Sequence, residues 1–201
     1  MAAGRVISQK FFSKNAVHRI LDRAWTTKAS WAIEEVDRSE RNVFRFIFNL
    51  KEDRKKIIDR GPWFLNKDLL ILKEWDPNYA LHSISLNTTP IWAHIYGIPL
   101  AFMSRENIWK IGEKAGGVLQ FDLKEHTKWK PFVKAQLDIR VDNPLFPGFY
   151  LPMKKCSPIW IQVKYERIQD FCFCCGRLEH DRASCSEELD TTVASLDGSV
   201  V

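Results

Sequence analysis

Near its C-terminus the chain reads Cys172-Phe173-Cys174-Cys175-Gly176-Arg177-Leu178-Glu179-His180-Asp181-Arg182-Ala183-Ser184-Cys185. The spacing of this segment is C-x2-C-x4-H-x4-C, and Zn²⁺ binds three thiolates and one imidazole in a closed tetrahedron. So short a segment cannot bury a core of its own, so the free energy of metal binding becomes its folding free energy. The spacing therefore predicts a small fold around a structural zinc ion, with the ligands Cys172, Cys175, His180 and Cys185.

Alternatives to this ligand set follow from the same residues. Cys174 is a possible ligand in place of Cys175, but C-x-C is the less usual spacing, so we interpret Cys174 as a spare thiol. A chance cluster of cysteines would require every spacing to coincide with Gly176, which allows the φ > 0 turn. A zinc site that only holds the C-terminus in place is a further alternative, because structural zinc often serves folding alone.

Upstream of this segment, hydrophobic periodicity predicts an α+β body. Its first part has a helix at 15–25 with Asn15 as N-cap, strands at 31–36 and 43–48, a helix at 51–60 ended by Gly61-Pro62, and a strand at 68–73. If the stretch before Asn15 supplies one more strand, the order becomes βαββαβ. That is the ferredoxin-like arrangement, which RNA-recognition (RRM) domains share.

A second α+β segment follows the polar connection near residues 76–89. Its pattern predicts strands at 91–96, 118–123, 133–141 and 159–166, with a helix at 104–115 and a Pro/Gly-rich connection at 143–158. The sequence shows no internal repeat that we can detect. We therefore predict four parts: an RRM-like part at 1–76, a second α+β segment at 77–168, the zinc-binding segment at 169–186 and a disordered acidic tail at 187–201.

Charge is distributed unevenly along the 201 residues, of which 45% are hydrophobic. The formal net charge is +5, and the tail holds four acidic residues and no Lys or Arg, so the body alone carries +9. A basic body favours polyanions such as nucleic acid, although a soluble surface with a mild positive excess explains the same number.

Several classes of protein are disfavoured by the composition. No apolar run approaches the ~20 residues that span a bilayer, and no secretory h-region is visible, so we expect no membrane partner. Four of the five cysteines cluster within the zinc motif, which indicates a reducing compartment, and we expect the nucleus or the cytoplasm. No phosphate-binding glycine loop or G-x-S-x-G motif is present, so we expect neither an enzyme nor a small-molecule substrate.

The C-terminal segment resembles the retroviral-type CCHC zinc knuckle, and the wider chain resembles plant proteins of non-LTR retrotransposon origin. In that family a domain of unknown function precedes a knuckle of this spacing. The resemblance spans roughly residues 15–185 and rests on these pieces: Phe44–Phe48, Gly61-Pro62-Trp63, Ile91-Trp92, Gly97-Ile98-Pro99-Leu100, Tyr165-Glu166 and Phe171-Cys172.

This resemblance implies zinc as cofactor and single-stranded nucleic acid as partner, with RNA favoured over DNA. It also implies that Phe173 stacks on an unpaired base and that Arg177 and Arg182 meet phosphates or stack. One departure is Glu179, where many knuckles have glycine, and a carboxylate there is expected to weaken contact with phosphate. Descent from an element-encoded RNA-packaging protein is implied as well.

Weaker candidates for nucleic-acid contact lie in the body. They are Lys128 and Lys130, which flank a tryptophan, and Lys134 and Arg140 on the polar face of a predicted strand, where a solvated face is the competing interpretation. Phe44 and Phe46 occupy a strand on which RRM domains place stacking aromatics, but we interpret them as core residues. The leading hypothesis is non-catalytic binding of single strands; the alternative is a protein-interaction module with a purely structural zinc site.

Overall fold

A computed structural model of the chain describes residues 1–36, 41–122, 131–153, 157–168, 171–178, 180 and 182–186. The helices are α1 (Lys14–Ala24), α2 (Lys51–Asp59) and α3 (Arg105–Glu113). The strands are β1 (Ala2–Ile7), β2 (Trp31–Glu35), β3 (Val43–Phe48), β4 (Trp63–Leu65), β5 (Asp68–Glu74), β6 (Thr88–Tyr96), β7 (Gly117–Phe121), β8 (Phe132–Arg140), β9 (Gly148–Leu151) and β10 (Ile159–Tyr165). The predicted α+β class is confirmed, while the acidic tail and the fifth cysteine, Cys156, which lies outside the zinc motif, fall outside the described residues.

The first half of the chain forms an antiparallel sheet in the order β2-β3-β1-β5-β4. β1 supplies the strand that the βαββαβ hypothesis requires, and its pairing with β3 and β5 gives the ferredoxin-like order. The sequence pattern does not predict β4, because three residues are too few for a periodic signal. β4 pairs with β5 across a tight turn in which Asn66 has a φ of 61°.

Helix α1 begins slightly earlier than its pattern predicts. Its N-cap is Ser13, whose hydroxyl accepts a hydrogen bond from the N–H of Ala16 at 3.3 Å. The expected cap, Asn15, lies inside the first turn, so that assignment was wrong. Serine and asparagine cap helices about equally well, so residue type alone does not choose between them. The buried residues of the helix are Val17 and Leu21, as their i,i+4 spacing predicts.

The second half of the chain repeats the strand order of the first. Its sheet runs β7-β8-β6-β10-β9, again with every neighbouring pair antiparallel. In each half the first strand is central and is followed by a helix, and a late hairpin adds the last two strands at one edge. The sequence shows no corresponding repeat, and β9 falls within the connection predicted at 143–158. The likeness between the halves is therefore one of topology.

Each sheet buries one face under its own helices. Helices α1 and α2 cover the first sheet, where Phe44 and Phe46 are 1% and 0% exposed, so the interpretation of these two as core aromatics is confirmed. Helix α3 covers the second sheet through Ile108 and Ile111, which pack on Leu137 and its neighbours. Among the described helices, none is long and apolar enough to cross a membrane.

A third core joins the two halves to the C-terminal segment. The face of the first sheet that none of the described helices covers contributes Ala3, Ile7 and Ile71 to this core. Across from them lie residues that flank the second sheet, Val141 among them, together with Leu178 of the knuckle. In RRM domains the corresponding face is the one on which bases stack. Here much of it is packed against protein, which leaves the helix-free face of the second sheet as the more accessible one.

One buried carboxylate fixes the connection between α1 and β2. Asp53 in α2 accepts hydrogen bonds from the N–H groups of Lys28 and Ala29 at 2.9 and 3.0 Å. Burial raises the pKa of Asp53, but these two N–H groups and the nearby charges of Lys56 and Lys28 outweigh it, so the pKa lies below 3.8. The ionised form is therefore the one that the fold stabilises.

We expect the substitution Asp53→Asn to lower the melting temperature at neutral pH, because a neutral amide oxygen accepts weaker hydrogen bonds than a carboxylate. Since the folded-state pKa is depressed, the carboxylate stabilises the fold above pH 3.8 and loses that contribution as the pH falls through the folded value. Thermal melts of wild type and variant should therefore converge in acid. The control is Asp59→Asn, an exposed residue of the same helix. A gap between the two curves that persists undiminished in acid would contradict this account.

Candidate metal centre

The C-terminal segment turns tightly around the first cysteine. The N–H of Cys172 donates to the carbonyl oxygen of Arg177 at 2.8 Å, and the N–H of Gly176 donates to that of Cys172 at 2.7 Å. Gly176 has a φ of 76°, in the left-handed region that glycine adopts without strain. The N–H of Cys174 points at the Cys172 sulfur, at 3.3 Å. The backbone therefore holds Cys172 and Cys175 on the inside of one loop.

Four donor atoms converge at this loop. Among the described residues, one cluster of possible metal ligands is present, and its donor atoms all lie within 4.8 Å of one another: Cys172, Cys175, His180 and Cys185. The Cys175 sulfur lies 3.4 Å from Nε2 of His180. A tetrahedral ion with Zn–S bonds of about 2.3 Å separates its ligands by roughly 3.8 Å, so the cluster is already close to the required size. Cys174 is not a member of the cluster.

The thiols of this cluster influence one another. Burial raises the pKa of Cys172. This effect is outweighed by the N–H groups of Cys175 and Cys174 and by the thiols of Cys185 and Cys175, so the pKa is lowered to about 7. Burial and the neighbouring sulfurs of Cys172 and Cys185 raise the pKa of Cys175. One thiolate therefore forms readily, whereas a second thiolate beside it is disfavoured by repulsion between the two negative charges. A bound divalent cation would neutralise these charges and allow both thiolates to form.

The knuckle is packed against the body. The N–H of Leu145 donates to the carbonyl oxygen of Gly176 at 2.8 Å, and Nη1 of Arg177 donates to that of Asp142 at 3.1 Å. A methyl group added at Gly176 would lie 3.2 Å from Pro144, so the two segments touch there. Leu178 is buried in the core shared with the first sheet. The sequence marks Leu178 only as a lone apolar residue in a polar loop, which does not identify its partners.

The predicted nucleic-acid contacts of the knuckle fall into different environments. Phe173 is 60% exposed, and its ring lies 4.5 Å from that of Phe171. Arg182 is exposed on a short 3-10 helix, whereas the guanidinium of Arg177 is engaged with the backbone of the body. Glu179 lies outside the described residues. An aromatic ring and a cation are thus available at the surface next to the metal site.

The predicted contacts of the body lie elsewhere. Lys134 lies on the helix-free face of the second sheet, with Nζ 2.8 Å from Oε1 of Glu166, and Arg140 is exposed at the end of the same strand. Lys128 and Lys130 lie outside the described residues. The structure therefore places Lys134 and Arg140 on the second sheet, apart from the cluster of cysteines and histidine.

Comparison with known proteins identifies two segments. Residues 3–83 match the family described as Domain of unknown function (DUF4283), and residues 153–187 match the family described as Zinc knuckle. The chain is also 25% identical over 140 residues to an uncharacterized protein of Arabidopsis thaliana, At4g02000. That alignment covers 68% of this chain and 43% of the Arabidopsis protein, so the chain spans less than half the length of this relative. The chain therefore contains a DUF4283 segment and, further along, a zinc knuckle whose converged Cys3His cluster forms a metal site for which zinc is the typical ion.

Proposed function

We propose that the protein binds single-stranded nucleic acid through its zinc-loaded knuckle, without catalysing a reaction, and that RNA is preferred to DNA. The observation that carries this proposal is the exposed ring of Phe173 directly after a converged zinc ligand. Unpaired bases offer a flat π face to such a ring, and stacking is worth ~1–3 kcal/mol per base. Zinc knuckles commonly bind nucleic acids, and the basic body adds attraction to phosphate.

The chemistry of the site supports a role without catalysis. Four protein ligands close the coordination sphere of a zinc ion and leave no position for a reactive water. The residues around it that stand at the surface, Phe173 and Arg182, are suited to stacking and charge pairing. We further propose a retrotransposon origin in a plant host and a location in the nucleus or cytoplasm, on the sequence resemblance and the reduced cysteines.

A second candidate function has its own supporting observation. The knuckle is fastened to the body by Arg177 and Leu178, as expected if zinc only stabilises the C-terminal turn of a protein-interaction module. This candidate leaves Phe173 free to contact a partner chain. The two functions differ in one measurable respect: only the first predicts an affinity for single strands that depends on zinc.

Fluorescence anisotropy with a labelled 12-nucleotide single strand, as RNA and as DNA, tests the first function against a duplex control. We expect Phe173→Ala to weaken single-strand binding about 5- to 140-fold, which corresponds to the loss of one stacked base. Phe11→Ala is the matched control, because Phe11 is exposed to a similar extent, 66% against 60% for Phe173, but lies outside the knuckle. If neither a zinc chelator nor Phe173→Ala changes the affinity for the single strand, the knuckle is not the binding site, and the protein-interaction module is favoured.

A further inference from the structure

One face of the second sheet is covered by none of the described helices and is rich in aromatic and cationic side chains. Residues directly opposite in a sheet share a face, and pairing places Trp92 opposite Gln136 and His94 opposite both Lys134 and Lys164. Trp160 pairs with Tyr150 on the same side, while the alternating residues Ile91, Leu137 and Ile161 face the core under α3. We call this side the open face, and its residues used below are these eight: Trp92, Tyr96, Lys134, Gln136, Arg140, Trp160, Gln162 and Lys164.

Cations on this face lie over aromatic rings. Nζ of Lys134 is 4.9 Å from the ring centre of Trp92, and Nζ of Lys164 is 5.6 Å from that of Tyr96. Both distances are within the range of cation–π attraction. Each pair combines an aromatic ring with a positive charge, which is the combination that single-strand grooves use.

The aromatic rings of the open face are not needed for the core. Trp92, Tyr96 and Trp160 belong to none of the three hydrophobic clusters formed by the described residues. Trp160 is 40% exposed and its ring lies 5.0 Å from that of Tyr150. Large aromatic side chains that stay at the surface of a regular sheet, outside any core, indicate a binding surface.

The composition of the open face favours nucleic acid over protein as the occupant. On this side of β6, β8 and β10 no leucine, isoleucine, valine or methionine is present, so the apolar contacts on offer are flat rings. Gln162 supplies an amide group that can hydrogen-bond base edges, and Gln136 keeps its Nε2 for the same purpose while its Oε1 accepts from Nε2 of Gln120 at 2.7 Å. Three cations, Lys134, Lys164 and Arg140, lie on this side together with the acids Glu166 and Asp138, and Asp122 comes opposite Lys134, whose carbonyl accepts its N–H at 3.0 Å, so cations and acids are equal in number. Glu166 binds Lys134 and His94, which leaves Lys164 and Arg140 for phosphate.

We propose that the open face is a second binding site for single-stranded nucleic acid, in which Trp92, Tyr96 and Trp160 stack on bases and Lys164 and Arg140 contact phosphates. This arrangement follows the general principle of a sheet whose central strands present stacking aromatics away from the helices. The site requires no metal, so it does not depend on the function proposed for the knuckle. The two sites are connected along the chain, because β8 ends at Arg140 and the carbonyl of Asp142 accepts the hydrogen bond of Arg177.

Anisotropy titrations of the full, zinc-loaded chain with a labelled single-stranded RNA test this site. We expect Trp160→Ala to weaken binding at least about 5-fold, the loss of a single stacked base.

Lys164→Ala should reduce the slope of log affinity against log salt by about 0.7, the effect of one phosphate contact on a single strand. The controls are Trp109→Ala and Lys110→Ala on α3, which covers the opposite side of the sheet; Trp109 is 39% exposed. Addition of a chelator should leave these differences in place, which separates this site from the knuckle.

Photocrosslinking of wild-type protein to an RNA that contains 4-thiouridine removes any dependence on the folding of variants. We expect crosslinked peptides from β6, β8 or β10, located by mass spectrometry. Crosslinks confined to residues 171–186 would overturn the proposal. The proposal would also be overturned if Trp160→Ala bound RNA as tightly as Trp109→Ala and Lys164→Ala showed the same salt slope as Lys110→Ala. The open face would then have no role in RNA binding.

Discussion

Cys175→Ser should deprive the knuckle of its zinc, whereas Cys174→Ser should leave the metal bound. The two cysteines are adjacent, but only the sulfur of Cys175 belongs to the four-donor cluster. Loss of a thiolate ligand removes a metal–sulfur bond and opens the coordination sphere to water. Changes in the residues that merely orient ligands already cost about 10- to 100-fold in affinity, so we expect the loss of a ligand to exceed 100-fold.

The measurement is zinc content after dialysis against a weak competing chelator, followed by titration with a colorimetric zinc indicator. Wild type and Cys174→Ser should retain about one equivalent of zinc per chain and Cys175→Ser essentially none. Because the knuckle folds with its metal, the apo variant should also show altered NMR signals for Leu178 and its partners in the shared core. Equal zinc content in both variants would contradict the ligand set, and zinc loss in Cys174→Ser alone would exchange the roles of the two cysteines.

Phe46→Ala should destabilise the chain by about 3–5 kcal/mol, the usual cost of removing a fully buried phenylalanine. The ring of Phe46 is completely buried, lies 5.6 Å from that of Trp25, and contacts the cluster beneath α1 and α2. Little of the resulting cavity can be filled, because the residues of β1 beside the ring are small: Ala2 is paired opposite Phe46, and a methyl group added at Gly4 would lie 2.7 Å from the Phe46 ring. We therefore expect a value within the upper part of this range.

Urea denaturation followed by tryptophan fluorescence gives the free energy of unfolding for this comparison. Phe11→Ala, at an exposed phenylalanine of the same half, should change that free energy by no more than about 0.5 kcal/mol. A variant Phe46→Ala that unfolds like wild type but binds RNA poorly would show that the ring serves recognition, and would refute its assignment to the core.

The zinc motif and the long strands are the features that could be predicted best. Ligand spacing constrains local geometry directly, and the strict alternation at 133–141 and 159–166 reports the two environments of a half-buried strand. The short strands β4 and β9 could not be predicted, because three or four residues carry too little pattern and their existence depends on partners distant in sequence. The residue types of Trp63 in β4 and Phe149 in β9 do not indicate which strands these two segments pair with.

Tertiary packing sets the remaining limits of prediction. The sequence identifies Lys134 and Trp160 as residues of a polar strand face, but which face α3 covers is decided by the sheet as a whole. Leu178 likewise becomes informative only when β1 and β5 are seen to supply its partners. The repeated strand order of the two halves has no counterpart in residue identity, because a topology depends on hydrophobic alternation and chain direction, which many sequences satisfy.

The hydrogen bond from Arg177 to Asp142 and the burial of Leu178 have a consequence for the rate and strength of any encounter at the knuckle. A zinc module on a loose linker explores many orientations, and that freedom is lost when it engages a ligand. Here the knuckle takes up its orientation when the chain folds, so the loss of orientational entropy occurs on folding and not on ligand binding. Any ligand that contacts both the knuckle and the body meets two surfaces at a fixed separation, and the second contact forms at a high effective concentration. The length of the ligand, measured against that separation, then sets the avidity.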